Sequence, residues 1–571
     1  MATTEFQVTG TNNDALFTMK IHRGEGMALL AMNWKNGKPP RDFVGFAIEY
    51  KEPNGDKFFP LKNRLSFPGV NGQVQPNALS TRLSPIQKFR WVHFPRNAEL
   101  KGDFTYKVTP VFMNANGELS YGESDRARIQ LRRETFPGQL NVTFTRGFIS
   151  SQAFVDRYLS AGPVNKLLPA KSELGLTFKP THPKTKEALD WMGFEARNAI
   201  LEVLDDAIND ATAKVRVIAY DLSERGIVEK LEKLGNRLHI IIDDDGAHGK
   251  AGSGENQAET RLKAKGAKVK RQHMGKLQHN KTIVVDGQTS KLAVCGSTNY
   301  TWRGFFVQSN NAMIFRGAGP VKIFMDAFDH YWNNDLPGDF SQTASARFSA
   351  LQLNGIDAQI AFTPLSSANS QLALIGEDMK TTQSSLFFSL AFLYQTKGPI
   401  RDAVLKLSKD NKRFVYGISD KQVGGLDFQK PNGKVVQVSP AALSKGVPEP
   451  FKSEPSGGAG IRMHHKFVVI DFDKPEARVY LGSYNFSGAA DGSNGENLIL
   501  VKDRRIATAY MIEAVRMFDH YHFRLSDSKA KGKKKKTKLQ LAKAPQKAID
   551  KPWWHEDYTD ARKIMDRELF A

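Results

Sequence analysis

His279-Asn280-Lys281-Thr282-Ile283-Val284-Val285-Asp286 returns 185 residues later as His464-His465-Lys466-Phe467-Val468-Val469-Ile470-Asp471. Each copy reads H-x-K-x-x-x-x-D around an apolar run. Each is followed by Gly-Ser-x-Asn, as Gly296-Ser297-Thr298-Asn299 and as Gly482-Ser483-Tyr484-Asn485. Two histidines, two lysines and two asparagines repeated in register point to one phosphate-handling site assembled from two half-sites.

The segments around the motifs repeat as well. Before the first lie a helical stretch, Glu187 to Asn209, the strand Lys214 to Tyr220, a short helix near Val228 to Leu234, the strand Leu238 to Ile242 and a helix near Gln257 to Lys265. Before the second come the strand Ser384 to Leu390, a helix from Ile400 to Leu407 and the strand Arg413 to Gly417. Each half then closes on a helix holding Phe-Asp-His-Tyr, at Phe328 to Tyr331 and Phe518 to Tyr521. Continuous apolar strands alternating with helices predict sheets buried on both faces, here α/β in two duplicated lobes.

On an extended strand, side chains two apart share a face. His279 and Lys281 therefore point one way, as do His464 and Lys466, while Asn280 and His465 point the other. Brought together across a pseudo-twofold axis, the two strands supply two imidazoles and two ammonium groups, with amides from Asn299 and Asn485. Such a donor set matches a phosphodiester and its more highly charged transition state. One imidazole attacks phosphorus while the other protonates the leaving oxygen.

With these paired motifs the chain resembles the phospholipase D superfamily over residues 145 to 525. The resemblance implies a covalent phosphohistidine, no metal or other cofactor, and hydrolysis or exchange of a phosphodiester. It makes His279 and His464 nucleophile and general acid in an order left open, with Lys281, Lys466, Asn299 and Asn485 on the phosphate oxygens. Asp286 and Asp471, with Ser297 and Ser483, take supporting roles. Family members place a glutamate after Gly-Ser-x-Asn to orient a catalytic histidine. Glu496 fits that position in the second half and Asn310 in the first. A carboxylate stabilises an imidazolium better than an amide does, so the reading favours His464, assigned to Glu496, as nucleophile.

Residues 1–135 differ from the rest. Period-2 stretches such as Leu16 to Ile21, Phe43 to Tyr50 and Phe104 to Thr109, punctuated by turn clusters at Pro53 to Asp56 and Asn114 to Gly117, predict an antiparallel β-sandwich. It loosely resembles a fibronectin type III or immunoglobulin-like module and reads as a binding or packing unit. The chain thus divides into this module, lobes at 140–345 and 355–525, and a tail at 526–571 that combines lysine-rich sequence with a short helix over Tyr558 to Leu569. Trp553 and Trp554 in that tail read as clamped onto the protein surface in preference to stacking on a base. Gly424 to Gly460, just before the second motif, reads as a long insertion, either an ordinary surface loop or a lid that contacts substrate.

Weaker signals have blander readings. Asp243-Asp244-Asp245 reads as loop capping before metal binding, and Gly249 to Gly254 as a flexible loop lacking the lysine-serine ending of a phosphate loop. The single cysteine, Cys295, excludes an internal disulfide. No apolar run nears the ~18 residues that span a bilayer, and Met1 to Gly10 lacks the pattern of a secretory signal. The expected location is cytoplasmic, with export by a route without a signal peptide as the alternative.

A formal charge of +21, with ten lysines between Lys529 and Lys551, favours a polyanionic partner. Nucleic acid is the preferred substrate, ahead of an anionic phospholipid membrane surface and headgroup release; a non-catalytic polyanion-binding protein is the third reading. Because both half-sites lie in one chain, a monomer suffices for a complete site.

Overall fold

Apolar alternation organises the first part of the chain. In this computed structural model the described residues are 5–69, 80–131, 134–147, 154–169, 172–393, 396–410, 412–419, 463–531 and 540–571, with side chains left aside at 155, 156, 172 and 521–531. They form two compact units, one from the described residues of Met1–Arg133 and Thr508–Ala571, the other from those of Glu134–Leu426 and Gln437–Ala507. The sheets of both duplicated lobes fall in the second unit, while from Thr508 onward the helix that closes the second lobe is counted with the first.

The first unit holds β1 (Gln7–Thr9), β2 (Phe17–Gly24), β3 (Met27–Trp34), β4 (Phe43–Lys51), β5 (Phe59–Pro60), β6 (Arg90–His93), β7 (Asp103–Met113), β8 (Leu119–Tyr121) and β9 (Asp125–Gln130). One antiparallel sheet runs β1-β2-β3-β6; the other runs β5-β4-β7-β8, with β9 also on β7. Phe17, Ile21 and Leu30 of the first sheet share a core with Phe46, Phe104 and Val108 of the second. Trp554 is buried in that core, and Trp553 stacks on Phe89 at 5.3 Å and donates to the Phe43 carbonyl. Both tryptophans are therefore clamps, as the sequence reading has them. The terminal helix runs Ala561–Phe570, capped by Asp560.

The second unit holds two seven-stranded sheets. The first comprises β10 (Leu140–Phe144), β11 (Lys214–Ala219), β12 (Leu238–Ile242), β13 (Lys268–Arg271), β14 (Lys281–Asp286), β15 (Lys291–Gly296) and β16 (Asn311–Arg316). The second comprises β17 (Ser349–Ala350), β18 (Asp357–Thr363), β19 (Ser385–Leu390), β20 (Phe414–Ile418), β21 (Lys466–Ile470), β22 (Arg478–Gly482) and β23 (Glu496–Lys502). Their orders, β10-β16-β15-β14-β11-β12-β13 and β17-β18-β23-β22-β21-β19-β20, carry the motif strands β14 and β21 beside β11 and β19 in both halves. Register repeats too: Ala219 lies opposite Lys281, and Leu390 opposite Lys466. Each sheet is mixed, with β11·β12 and β19·β20 parallel and the motif strands antiparallel to their neighbours.

Helices Thr185–Asn209, Arg225–Glu232 and Gly254–Ala264 cover the first sheet's side of the core, where Ile200, Val203, Ile227 and Leu262 meet Val215, Ile240 and Ile283. The two Phe-Asp-His-Tyr segments fall within helices Ala318–Asn333 and Arg504–Lys531, as the repeat predicts. Gly424 to Gly460, read as a loop, lies outside the described residues. Among the described residues no helix is long and apolar enough to cross a membrane.

Candidate active site

The two motif strands meet at a polar seam between the lobes. The His464 N–H donates to the Ser309 carbonyl at 3.0 Å, and the Gly495 N–H donates to the Leu277 carbonyl at 2.8 Å. Asn280, facing away from the catalytic side as the alternation requires, accepts from Asn497 Nδ2 at 3.0 Å, and its counterpart His465 lies 3.4 Å from Asn311 Nδ2. His464 and His465 therefore do not chelate together. Each Gly-Ser-x-Asn begins with a glycine for a physical reason. Gly296 and Gly482 have φ of +139° and +133°, and an added Cβ would sit 2.5 Å from the Asn311 carbonyl oxygen and 2.2 Å from that of Asn497.

This seam brings the imidazoles of His279 and His464 to a centroid separation of 6.4 Å, with ring planes 68° apart. Ring centroids this close set both imidazoles beside one cavity, as attack on a single phosphoryl group requires. Lys281 Nζ donates to the His279 carbonyl and lies over the Tyr220 ring, 4.6 Å from its centroid. Lys466 Nζ donates to the His464 carbonyl at 2.8 Å and lies 5.6 Å from the Phe392 ring. All four motif side chains are buried.

The partners of the histidines are crossed between lobes, which corrects the sequence reading. Glu496 does not serve His464: its Oε2 lies 2.7 Å from Nδ1 of His279, in the other half. Asn310 in turn serves His464, with Oδ1 2.9 Å from Nδ1, and the Ser297 carbonyl lies 3.1 Å from the same nitrogen. The Asn310 amide is oriented by its own contacts, since Nδ2 donates to the Gly304 carbonyl at 2.9 Å while Oδ1 accepts from Ser297 Oγ at 3.0 Å. With two acceptors facing it, Nδ1 of His464 carries the hydrogen. Glu496 is held by Asn494, whose Nδ2 donates to Oε1 at 3.1 Å. Ser483 Oγ accepts from the Asn497 backbone at 3.0 Å, as Ser297 Oγ does from Asn311 at 3.1 Å. The crossing has a simple origin: each lobe's strand after Gly-Ser-x-Asn begins at the seam, so its first side chains reach the opposite lobe's histidine.

Burial dominates the electrostatics. It holds His279 and His464 well below the ordinary imidazole range, and the two lysines add to the effect. Burial also pulls Lys281 down to about 7 and Lys466 well below its usual value, and pushes Glu496 up to about 8. A cavity that disfavours positive charge on its own lysines favours an anion that restores it.

The remaining motif residues divide. Asp471 is buried and accepts from the backbone N–H groups of Gln383, Ser384 and Ser385 at 2.7–3.1 Å, pinning the turn that starts β19. Asp286 does something lesser: it pairs with Lys291 across a hairpin at 2.5 Å, with its side chain 38% exposed. Asn299 is not free to give its whole amide to phosphate, because Nδ2 donates to Asp221 Oδ2 at 2.6 Å. One Nδ2 hydrogen remains. Oδ1 of Asn299 and Oδ1 of Asn485 are both buried and have no hydrogen-bond partner among the described residues.

Sequence reasoning missed Tyr220, Asp221, His248 and Glu255. The signal was the position of Tyr220 and Asp221 immediately past β11, at the carboxyl end of a strand where α/β folds place ligands. Among the described residues, Asp221, His248 and Glu255 form a trio whose donor atoms lie within 4.8 Å of one another and that could hold a metal ion. At 2.7 Å the Asp221–His248 contact is itself a hydrogen bond. Asp243 caps as expected, accepting from the Asp245 N–H at 3.0 Å, whereas Asp244 pairs with the His273 ring at 2.8 Å.

The family model described as cardiolipin synthase, PLD-like domain, matches residues 204–332 and 376–518, one match per lobe. The chain belongs to the phospholipase D superfamily. Phospholipase D of Rickettsia felis is 44% identical over 48 residues, 8% of this chain and 22% of that protein, and phospholipase D of Rickettsia prowazekii is 42% identical over 48 residues. The chain thus spans 22% of the length of these curated relatives. Phosphatidylserine synthase of Haemophilus influenzae aligns over 56% of this chain and 84% of its own, at 14% identity and a TM-score of 0.41. Nuc of Salmonella typhimurium, a phospholipase D family member, aligns over 24% of this chain and 87% of its own, at 26% identity and a TM-score of 0.21.

Proposed function

We propose that this enzyme hydrolyses the phosphodiester backbone of nucleic acid, with His279 as nucleophile and His464 as general acid and then base. The observation that carries the assignment of roles is the crossed support. His279 faces the carboxylate of Glu496 and His464 faces the amide of Asn310. Nδ1 of each ring is committed to these partners, leaving Nε2 for chemistry.

In the first step the bound phosphodiester anion draws a proton onto Nε2 of His464, Nε2 of His279 forms a bond to phosphorus as the bond to the leaving oxygen breaks, and His464 delivers that Nε2 proton to the leaving oxygen. The phosphorylated ring is cationic, and Glu496 stabilises it as Asn310 could not. In the second step His464 takes a proton from water, the water oxygen bonds to phosphorus, and the P–N bond breaks to restore His279. Lys281 and Lys466 offset the charge gathering on the equatorial oxygens in both steps.

The charge of +21 supports nucleic acid as substrate. A second reading, release of phospholipid headgroups by the same steps, is favoured by the name phospholipase D borne by the Rickettsia relatives. Both are tested together by incubating the full chain with DNA and with anionic lipid vesicles in excess chelator. DNA cleavage, abolished by His279→Asn and by His464→Asn, is the expected result. Headgroup release with untouched DNA would overturn the choice of substrate, and loss of all turnover in chelator would overturn the two-imidazole mechanism.

A further inference from the structure

Outside the paired motifs, one ionisable side chain in the second unit connects to two parts of the site. His248 lies past β12 with both ring nitrogens against carboxylates: Nε2 is 2.7 Å from Asp221 Oδ1, and Nδ1 is 2.7 Å from Asp243 Oδ2. Each carboxylate spends its second oxygen on the phosphate cradle. Asp221 Oδ2 accepts from Asn299 Nδ2 at 2.6 Å, and Asp243 Oδ1 accepts from the backbone N–H of Gln278, the residue before His279, at 2.6 Å. The Tyr220 ring lies between the two histidines, 4.6 Å from each and edge-on to both.

We propose that His248 is a positioning residue of the first half-site, an imidazolium clamp that fixes Asn299 through Asp221 and the approach to His279 through Asp243. This rests on the phosphodiesterase reading above and adds a residue to it.

Ionised carboxylates only accept hydrogen bonds, so a ring with one on each nitrogen carries both hydrogens. The surrounding charges agree. Burial would lower the His248 pKa, but the hydrogen bonds the ring donates to Asp221 and Asp243 outweigh it, and the ring is pushed up to about 10. Glu255, raised by burial and by Asp221 to about 6, adds a further acid on the helix side, where its Oε1 accepts from the Leu222 N–H at 3.0 Å. Lys281 and Arg303 are the cations that face Asp221. Arg271 donates to the His248 and Asp243 carbonyls, fixing the loop that carries the ring.

Among the described residues the second half shows no carboxylate at the place equivalent to Asp221. The Tyr220 N–H donates to the Asn280 carbonyl at 3.1 Å, as the Ala391 N–H does to that of His465 at 3.2 Å. The residue after Ala391, at the register position of Asp221, is Phe392. Asn299 therefore enters catalysis already held, whereas the side chain of Asn485 has no hydrogen-bond partner among the described residues.

The test is a set of double-variant cycles in the full chain, read as kcat/KM on bis(p-nitrophenyl) phosphate. His248→Ala is expected to lose about 10- to 100-fold, the scale of a sub-ångström to ångström misplacement of a catalytic group. Combined with Asn299→Ala it should lose no more than the worse single variant, while combined with Asn485→Ala the losses should multiply. Asp221→Asn, which keeps the shape and is the fallback if His248→Ala does not fold, should couple to Asn299→Ala in the same way. The wild type should also show two downfield imidazolium N–H resonances that vanish in His248→Gln. Losses for His248 and Asn299 that simply multiply, or an imidazole at residue 248 with a single hydrogen at pH 7, overturn the clamp. If the wild type turns over no phosphodiester, the proposed reaction has failed instead, and the same cycles read on the Kd for inorganic phosphate decide the clamp.

Discussion

Replacing Glu496 by glutamine separates charge from shape at the point where the two lobes cross. The amide keeps the volume and can still meet Nδ1 of His279, but it cannot stabilise the cation that forms when that ring is phosphorylated. The two side chains are 2.7 Å apart and 5% and 0% exposed. At an effective dielectric of about 20, a full ion pair at that separation is worth about 6 kcal/mol. Ring delocalisation and the substituted amide dipole reduce the difference to about 3–4 kcal/mol, or about 10²–10³ in rate. Asn310→Ala removes only a neutral hydrogen bond from His464, worth about 0.5–1.5 kcal/mol, so a loss of about tenfold is expected. The assay is kcat on an oligonucleotide and on a nitrophenyl diester, with circular dichroism to confirm folding. Glu496→Gln within tenfold of the wild type, or Asn310→Ala the more damaging of the two, would refute the reasoning.

Three further outcomes follow from the geometry. Binding of inorganic phosphate at pH 8 should take up protons: Lys281, at about 7, is then largely neutral, and an adjacent anion raises its pKa and draws a proton on; calorimetry in buffers of different ionisation enthalpy measures it, and proton release would contradict the sign. Asn497→Ala strips the buried donor from Asn280 at the lobe seam and should cost about 1–3 kcal/mol in urea unfolding, whereas an unchanged midpoint would mean the seam bond is idle. In the first unit, Arg90 bridges Asp519 at 2.6 Å and Asp566 at 2.7 Å, so Arg90→Ala should destabilise by about 3–5 kcal/mol by leaving two acids together; tryptophan fluorescence during denaturation reports it, and a shift below 1 kcal/mol would show the bridge to be solvated.

Much of this was legible in the sequence because it depends on local periodicity. Val284 and Val468 sit on strands whose apolar runs are unmistakable, and alternation places Asn280 and His465 behind the catalytic face, where both are found. The duplicated order of elements carried over into two sheets of the same topology. What was not legible depends on which lobe a side chain reaches. Glu496 and Asn310 occupy equivalent positions, and sequence distance alone pairs each with the histidine of its own half; the seam pairs them oppositely. Likewise Asp286 and Asp471 are identical in the motif, yet one ends in a half-exposed hairpin and the other is buried under three backbone donors. His248 carries no motif at all, and its role emerges only where β11 and β12 bring Asp221 and Asp243 to either side of it.

The crossed assignment of roles is tested most directly with a diester whose leaving group needs no proton, such as bis(p-nitrophenyl) phosphate. His464→Asn should release one nitrophenolate per enzyme in a rapid burst and then stall, with the phosphoryl group on His279 when the alkaline-quenched protein is digested and mapped. His279→Asn should give no burst. A burst in His279→Asn with phosphate on His464 would contradict the account.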